Sequence, residues 1–347
     1  MESIQSYIDN HDPPIYLAIL TPCYGGNVNV NFVESLLQTK ELFTSMNLKH
    51  TILFCHNDSL VTRARNSLVA SALSITDPHP VTHILFIDAD LRWKPVDIIK
   101  LLMANKPLVG GLYPLKAYRW DRFFQKTTTK EEKDGDEDEN KSSQRHISSN
   151  PNPNPTSSSS HYSSFVDQVI RERHQYVSPT EYNDKTLMRC RLVDYNANFL
   201  GTNADIENNL MKIKLLPTGF MMIERQVFTR MMEAFPETKY NDDLPRDQSE
   251  WDTKEKKEAA MQRYNDRNKY MYAFFDTGVV RNSYYSEDWW FSHRWRQLGG
   301  DVWAHVSIDL THYGTEGYVG SFLTSINIPK DTTTTTTIPT TLTEHSN

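Results

Sequence analysis

Two aspartates, Asp88 and Asp90, stand one residue apart directly after the apolar run 82–87 (THILFI). Carboxylates at this spacing, just past a buried strand, can reach a divalent cation from one side. Mg²⁺ and Mn²⁺ prefer oxygen ligands, which they share with substrate phosphates. Such a cation would neutralise a diphosphate leaving group. A solvated turn is the alternative, and the position after the strand favours a metal site.

A second pair of acids, Glu287 and Asp288, opens a helix predicted at 285–298. Carboxylates suit a helix N-terminus, so capping alone would explain the pair. The chemical alternative is a general base that deprotonates a hydroxyl group. His312 follows a predicted strand and is expected in a short loop, where a neutral imidazole could complete the coordination of a transition metal.

The elements that must position these residues alternate along the first 110 residues. Short apolar runs predict strands, and helical spacing predicts the helices between them, which together favour a parallel sheet covered by helices. Ligands bind such sheets beyond the carboxyl ends of the strands, where Asp88 and Asp90 fall. Strands are predicted at 15–20, 51–55, 82–87 and 107–112, and helices at 58–74 and from Pro95 onward.

The second half of the chain is less regular. We expect a strand pair at 187–199, one strand with a bend at Gly219 over 213–223, a helix at 224–235 and a strand at 301–308. A glycine inside an apolar run marks either a close approach to a ligand or a β-bulge. Polar composition predicts a flexible N-terminus (1–13), a disordered insertion (126–163) and a disordered Thr-rich tail (329–347).

Composition narrows the class of protein. The 347 residues carry a net charge of −7, which argues against a general nucleic-acid binder because such a protein needs a basic face. The three cysteines show neither a zinc spacing nor a disulfide framework, so a reducing compartment is expected. No signal peptide and no membrane span are predicted. We therefore expect a soluble, cytoplasmic protein.

The motifs occur in an order that resembles a known family. ILTPCYGG comes first, followed by RARN, DAD, VGGLYPLK, PTGFMMI, SEDWWF and a late HYG. This set is similar to the GT-A glycosyltransferases related to family 2, especially those encoded by large DNA viruses of algae. The resemblance covers about 14–125 and 185–325. It implies host cytoplasm as the location if the protein is viral.

The resemblance implies a single α/β domain of GT-A type. Residues 14–125 would form a Rossmann-like, mostly parallel sheet that binds the nucleotide-sugar, merged with an acceptor-binding and catalytic half at 164–328. The implied activity is the transfer of a hexosyl or pentosyl group from a nucleoside-diphosphate sugar, UDP- or GDP-linked. The implied acceptor is a hydroxyl of a glycan or glycoprotein, and the implied cofactor is Mn²⁺ or Mg²⁺.

Roles of single residues also follow from the resemblance. It implies that Asp88 and Asp90, with Ala89 between them, bind the cation and the diphosphate, and that His312 is a metal ligand. Asp288, beside Glu287, would be the catalytic base of an inverting enzyme. The resemblance further implies that Thr21, Pro22 and Tyr24 contact the nucleobase and that Arg65 lies near the nucleotide. Gly219 and Phe220 would form the turn on the acceptor side. Lys116 would lie near the site without an assigned role.

Three alternatives stay open. In a retaining enzyme, Asp288 would bind the acceptor rather than act as base. A nucleotidyltransferase would need a glycine-rich phosphate loop with a nearby basic residue, whereas 21–32 (TPCYGGNVNVNF) has two glycines and no Arg or Lys. A non-catalytic carbohydrate-binding protein on the same fold would bind sugar without metal.

Overall fold

A mixed sheet of nine strands is the centre of the computed structural model, which describes residues 4–120, 184–200, 203–241, 253–325 and 336–337. The order across the sheet is β10-β11-β15-β5-β12-β3-β1-β2, and β8 pairs with β11. These strands are β1 (Tyr16–Cys23), β2 (Lys49–His56), β3 (His83–Ile87), β5 (Leu108–Gly110), β8 (Asn198–Phe199), β10 (Ile206–Glu207), β11 (Leu210–Leu215), β12 (Phe220–Glu224) and β15 (Val302–His305).

Strand direction divides the sheet. β1 pairs in parallel with both β2 and β3, and β5 pairs in parallel with β15. β12 lies between β3 and β5 and is antiparallel to both. The expected helix-covered α/β sheet is confirmed, and it is mixed: β2, β1 and β3 are parallel to one another, and β12 is inverted. A fully buried strand reads as a continuous apolar run whichever way its neighbours point, so the sequence pattern does not reveal the inverted strand.

Helices cover both faces of the sheet. One core contains Leu68, Phe86 and Phe291, and the other contains Phe32 and Leu102. The helices are α1 (Ile4–Asn10), α2 (Val30–Ser45), α3 (Val61–Leu73), α4 (Pro95–Met103), α5 (Asp184–Arg191), α6 (Arg225–Ala234), α7 (Lys254–Asn268), α8 (Glu287–Gln297) and α9 (Phe322–Ser325). In the part of the chain described, no helix is long and apolar enough to cross a membrane.

Short strands attach the later part of the chain to the sheet. In a three-stranded unit, β16 pairs with β17 and β4, which sets His312 opposite Leu91, next to Asp90. These additional strands are β4 (Leu91–Arg92), β6 (Pro114–Tyr118), β7 (Val193–Tyr195), β9 (Asn203–Ala204), β13 (Gly278–Val280), β14 (Ser283–Tyr285), β16 (Thr311–Tyr313), β17 (Gly317–Val319) and β18 (Thr336–Thr337).

Several local predictions were wrong. The strand pair predicted at 187–199 does not form. Residues 184–191 are helix α5, and β7 and β8 pair with β6 and β11 rather than with each other. A short apolar run does not distinguish helix from strand, and it does not name a strand's partner. The single strand predicted at 213–223 is instead two strands, β11 and β12, joined in the chain by a turn. The two strands are not neighbours in the sheet. His312 lies in strand β16 and not in a loop.

The N-terminus also differs from the expected loose lead-in of 1–13. Residues 4–10 form helix α1, whose Ile8 is 9% exposed and belongs to the second core. The Tyr7 hydroxyl donates a hydrogen bond of 3.0 Å to the carbonyl of Leu102. The insertion predicted at 126–163 lies outside the described residues. So does the tail at 329–347, apart from β18, which pairs with β9.

Candidate functional site

The turn Asp88-Ala89-Asp90 directly follows the carboxyl end of β3. Three segments hold its backbone. The Asp88 amide donates to the carbonyl of Gly219 at 2.9 Å, the Ala89 carbonyl accepts from the amide of Asn29 at 2.9 Å, and the Asp90 carbonyl accepts from the amide of Tyr313 at 2.8 Å. These bonds fix the place of the two aspartates relative to β12, α2 and β16.

Asp88 is paired with the buried guanidinium of Arg65 on α3. Arg65 Nη2 lies 3.0 Å from Asp88 Oδ1, and Arg65 Nε lies 3.3 Å from Glu287 Oε1 at the start of α8. Burial acts to lower the pKa of Arg65, but the two carboxylates raise it above its ordinary value. Arg65 therefore joins the turn after β3 to the acidic end of α8. Its Nη1 has no hydrogen-bond partner among the described residues.

Asp90 faces a different set of groups. Lys116 Nζ lies 2.5 Å from Asp90 Oδ2, and His312 Nε2 lies 3.4 Å from Asp90 Oδ1. Burial acts to raise the pKa of Asp90, but His312 and Lys116 together lower it to about 2. The carboxylate is therefore ionised throughout the physiological range.

Asp288 lies in the first turn of α8 and is 7% exposed. Its Oδ1 accepts hydrogen bonds from the Trp289 amide at 2.8 Å and from the Ser286 hydroxyl. Burial, and then the charge of Glu287, raise its pKa to about 6 against the lowering effect of these hydrogen bonds and of Arg65. A carboxylate with a pKa near neutrality suits a general base, and such perturbed groups are typical of functional sites.

Tyr113 is a site residue that the sequence analysis did not single out, although it lies in the VGGLYPLK motif. Its hydroxyl accepts a hydrogen bond of 3.3 Å from the Gly219 amide, and its ring packs edge-on against His312 at 5.1 Å between centroids. Burial, and then the charges of Asp88 and Asp288, raise its pKa well above the ordinary value. Tyr113 thus stays neutral between the two acidic groups.

Gly219 is in close contact with the same residues. A Cβ at this position would lie 2.8 Å from both Asp88 Oδ2 and the Tyr113 ring, so a side chain does not fit without movement. The neighbouring Phe220 has a different role from the predicted acceptor contact. Its side chain is fully buried and packs in the core 6.3 Å from the ring of Trp93, so it stabilises the fold beneath the turn.

A cavity of about 610 Å³ opens beside the Asp88 turn, which is within the usual size for small-molecule sites. Tyr24, 80% exposed, stands on its wall, whereas Thr21 is fully buried. The Asp58 carboxylate also lines the cavity and accepts hydrogen bonds of 2.8 and 2.9 Å from Arg63. The lining residues include Pro22, Tyr24, Asn27, Asn29, Cys55, Asp58, Arg65, Asp88, Ala89 and Asp90.

The predicted metal ligands are only partly brought together. Within the described ranges, no group of three His, Cys, Asp or Glu side chains is placed to hold an ion. Asp90 and His312 nonetheless suit a divalent cation, since His312 Nδ1 lies 2.9 Å from the Pro114 carbonyl. A carbonyl oxygen only accepts hydrogen bonds, so Nδ1 donates this one and Nε2 is the ring atom that faces Asp90, as in metal-binding histidines.

The predicted residues therefore fall into three groups. The cavity wall holds Pro22, Tyr24, Arg65, Asp88, Ala89 and Asp90. Lys116, His312 and Gly219 contact the two aspartates directly, and Arg65 connects these to Glu287, next to Asp288. Two predicted residues, Thr21 and Phe220, present no exposed side chain to a ligand.

Comparisons with known proteins give no family assignment. No protein-family model matches the chain, and a search of curated proteins finds no significantly similar sequence.

Proposed function

We propose that this chain is a glycosyltransferase of GT-A type. The proposed reaction transfers a sugar from a UDP- or GDP-linked donor to a hydroxyl of a glycan or glycoprotein. The observation that carries the proposal is the link made by Arg65 between a nucleotide-sized cavity and the acidic end of α8. The cavity is suited to a donor, and the acidic end of α8 holds Asp288, a carboxylate suited to proton abstraction.

In the proposed mechanism, Asp288 takes the proton of the acceptor hydroxyl. The acceptor oxygen forms a bond to the anomeric carbon while the bond from that carbon to the diphosphate oxygen breaks, and the diphosphate leaves with the electron pair. The raised pKa of Asp288 makes its carboxylate a stronger base than an ordinary aspartate. In a retaining enzyme the same carboxylate would bind the acceptor hydroxyl instead.

The residues of the turn would bind the diphosphate end of the donor. Mn²⁺ or Mg²⁺, held by Asp90 and His312 with Asp88 beside them, would supply positive charge that stabilises the leaving diphosphate. Tyr113 excludes water on the side of His312, because its ring is buried between that imidazole and Gly219. Arg65 holds Asp88 and Glu287 in fixed positions around the reacting groups.

Calorimetric titration tests this proposal. UDP and GDP are titrated separately into the purified protein, first with Mn²⁺ and then with EDTA, and Asp90→Ala is compared with Asp301→Asn. Asp301 pairs with Lys212 on the surface, so its loss controls for the removal of an acidic side chain. We expect one of the two nucleotides to bind in Mn²⁺ and not in EDTA. Asp90→Ala should abolish this binding, and Asp301→Asn should not.

The same titration separates the alternatives. A folded wild-type protein that binds neither nucleotide with Mn²⁺ would contradict the proposal. Free sugars are titrated separately in EDTA, and their binding without any nucleotide binding would instead support the non-catalytic carbohydrate-binding protein. If one nucleotide binds, hydrolysis of its sugar conjugates by the wild type, and not by Asp288→Asn, identifies the donor and tests the transfer chemistry.

A further inference from the structure

Each carboxylate of the Asp88 turn faces a basic side chain of the protein itself. Arg65 is paired with Asp88, and Lys116 is paired with Asp90. The two cations differ in freedom. The Arg65 side chain is 5% exposed and has a second carboxylate partner in Glu287, whereas the Lys116 side chain is 36% exposed.

Further contacts show that Arg65 is fixed. Its guanidinium lies over the ring of Phe86 at 5.2 Å, in addition to its two carboxylate partners. Lys116 lies on β6, and Asp90 is its one carboxylate partner in the described part of the chain. A lysine ammonium on a flexible four-carbon stem can change partners at little cost, unlike a guanidinium held at several points.

Asp90 cannot keep Lys116 and bind a divalent cation without bringing like charges together. The ammonium contacts Oδ2 at 2.5 Å, and His312 Nε2 approaches Oδ1 at 3.4 Å, so the carboxylate has a group on each oxygen. A divalent cation bound at Asp90 and His312 would repel the Lys116 ammonium, because both would contact the same carboxylate. A diphosphate bound to that cation would offer new anionic acceptors beside the lysine.

We propose that Lys116 changes partner when the donor binds. Without a cation it neutralises Asp90, and with a cation and a nucleoside diphosphate present it donates its hydrogen bonds to the diphosphate. This inference rests on the proposed function and assigns a role to Lys116 within it. Lys116 would then compete with a lone cation and assist the cation–diphosphate complex, which are opposite effects on two measurable affinities.

Binding measurements on Lys116→Met test the exchange without recourse to activity. Mn²⁺ alone is titrated by its electron paramagnetic resonance signal, and UDP and GDP are titrated by calorimetry at saturating Mn²⁺. Lys116→Arg tests whether charge suffices. Lys212→Met is the matched control because Lys212 also pairs with a carboxylate, that of Asp301, at 2.7 Å. Lys212 lies outside the candidate site, since its strand β11 is three positions from β12 in the sheet.

The expected result is a pair of opposite shifts. Lys116→Met should bind Mn²⁺ alone about two- to fivefold more tightly, as expected from removing one half-exposed ion pair. It should bind the nucleoside diphosphate roughly tenfold or more weakly, as expected from losing a charge-assisted hydrogen bond. Lys116→Arg should lie between Lys116→Met and wild type in both measurements, and Lys212→Met should match wild type.

Other results would overturn the exchange. Affinities that fall together show that Lys116 only supports the local structure, and affinities that stay unchanged show that its contact with Asp90 has no role in binding. In both cases wild-type nucleotide binding with Mn²⁺ leaves the proposed function standing. A folded wild-type protein that binds Mn²⁺ and neither nucleotide overturns the proposed function and the exchange together.

Discussion

At the scale of single residues, the site depends on charges that are buried at different depths. Asp288 is nearly buried beside Glu287, whereas the Asp90 carboxylate contacts His312 and Lys116. The pKa of Asp288 therefore rises to about 6 and that of Asp90 falls to about 2. Two carboxylates with separated pKa values can take separate roles, one in proton transfer and one as a permanent anion.

The pH dependence of activity follows from Asp288. As a base it must be ionised, so kcat/KM should rise with pH and reach half its maximum near pH 6, the pKa of the free enzyme. Asp288→Asn should lower kcat/KM roughly 10²- to 10⁴-fold and remove this limb of the profile. Steady-state rates between pH 5 and 8, with Asp301→Asn as control, provide the measurement. An unchanged profile in Asp288→Asn would exclude the assigned role.

Asp288 should also make stability depend on pH, in the direction opposite to activity: stability should fall as pH rises. Because the folded pKa lies above the ordinary aspartate value of 3.8, the stability gained from protonation is fully present below pH 4 and is lost as pH rises through about 6. Asp288→Asn should therefore be more stable than wild type at pH 7.5, by up to about 3 kcal/mol, and should lose this advantage near pH 4. Urea unfolding at the two pH values measures the difference; equal gains at both would contradict the burial effect.

Arg65 should matter more for stability than the neighbouring Arg63. Arg65→Met would remove the buried partner of Asp88 and Glu287 and should cost about 3–5 kcal/mol. The Arg63 side chain is 45% exposed, so its pair with Asp58 should contribute about 1 kcal/mol or less. Urea unfolding of Arg65→Met and Arg63→Met makes the comparison on one helix. Equal costs would show that Arg65 is not a structural link.

At the scale of elements, the described N-terminal helix is part of the fold. In α1, Ile8 packs into the core beneath α4, whereas Ile4 is 37% exposed. The sequence pattern did not predict this helix because seven residues are too few for helical periodicity to stand out among polar ones. Tertiary packing, including the hydrogen bond from Tyr7 to Leu102, stabilises it instead.

Two isoleucines on one short helix allow a direct test of this packing. Ile8→Ala should lower the free energy of unfolding by about 2–4 kcal/mol, because it removes buried methyl groups and leaves a cavity. Ile4→Ala should change it by less than about 0.5 kcal/mol, as expected for an exposed position. Urea denaturation of both variants is the measurement. Equal, small effects would mean that residues 1–13 are the loose lead-in expected from composition.

Other elements show how far local patterns reach. The helices at 61–73, 95–103 and 287–297 and the strands that end near Cys23 and Ile87 were predicted, since each has clear periodicity or a long apolar run. The direction of β12 and the strand that carries His312 were not, because they depend on pairing with distant segments. The contact of Tyr113 with Gly219 has no local sequence signal for the same reason.

At the scale of the whole molecule, one sheet joins the two predicted halves. β12 and β15 come from the second half, yet they flank β5 from the first, so their packing is shared. The candidate site likewise takes Arg65 and Asp88 from the first half and Glu287 and His312 from the second. A ligand that contacts both groups would stabilise the entire sheet against unfolding, and the gain in free energy rises with the logarithm of its concentration divided by Kd.

Thermal unfolding should therefore report ligand binding. Mn²⁺ and the preferred nucleoside diphosphate, supplied together at about 100 times Kd, should add roughly 2.7 kcal/mol to the free energy of unfolding and raise Tm by several degrees. EDTA should remove the effect, and Asp90→Ala should not show it. Differential scanning fluorimetry makes the measurement. An equal rise with nucleotide in EDTA would contradict the proposed cation.

The three hydrogen bonds that hold the Asp88 turn use main-chain atoms of Gly219, Asn29 and Tyr313. Such bonds survive most replacements of the side chains around them, because every residue except proline keeps its amide and carbonyl. Over evolution, the backbone hydrogen bonds can thus keep the turn in place while the amino-acid sequence around it diverges. Distant relatives of this protein should be sought by matching that connectivity, with an acidic pair at the crossing point of the three segments.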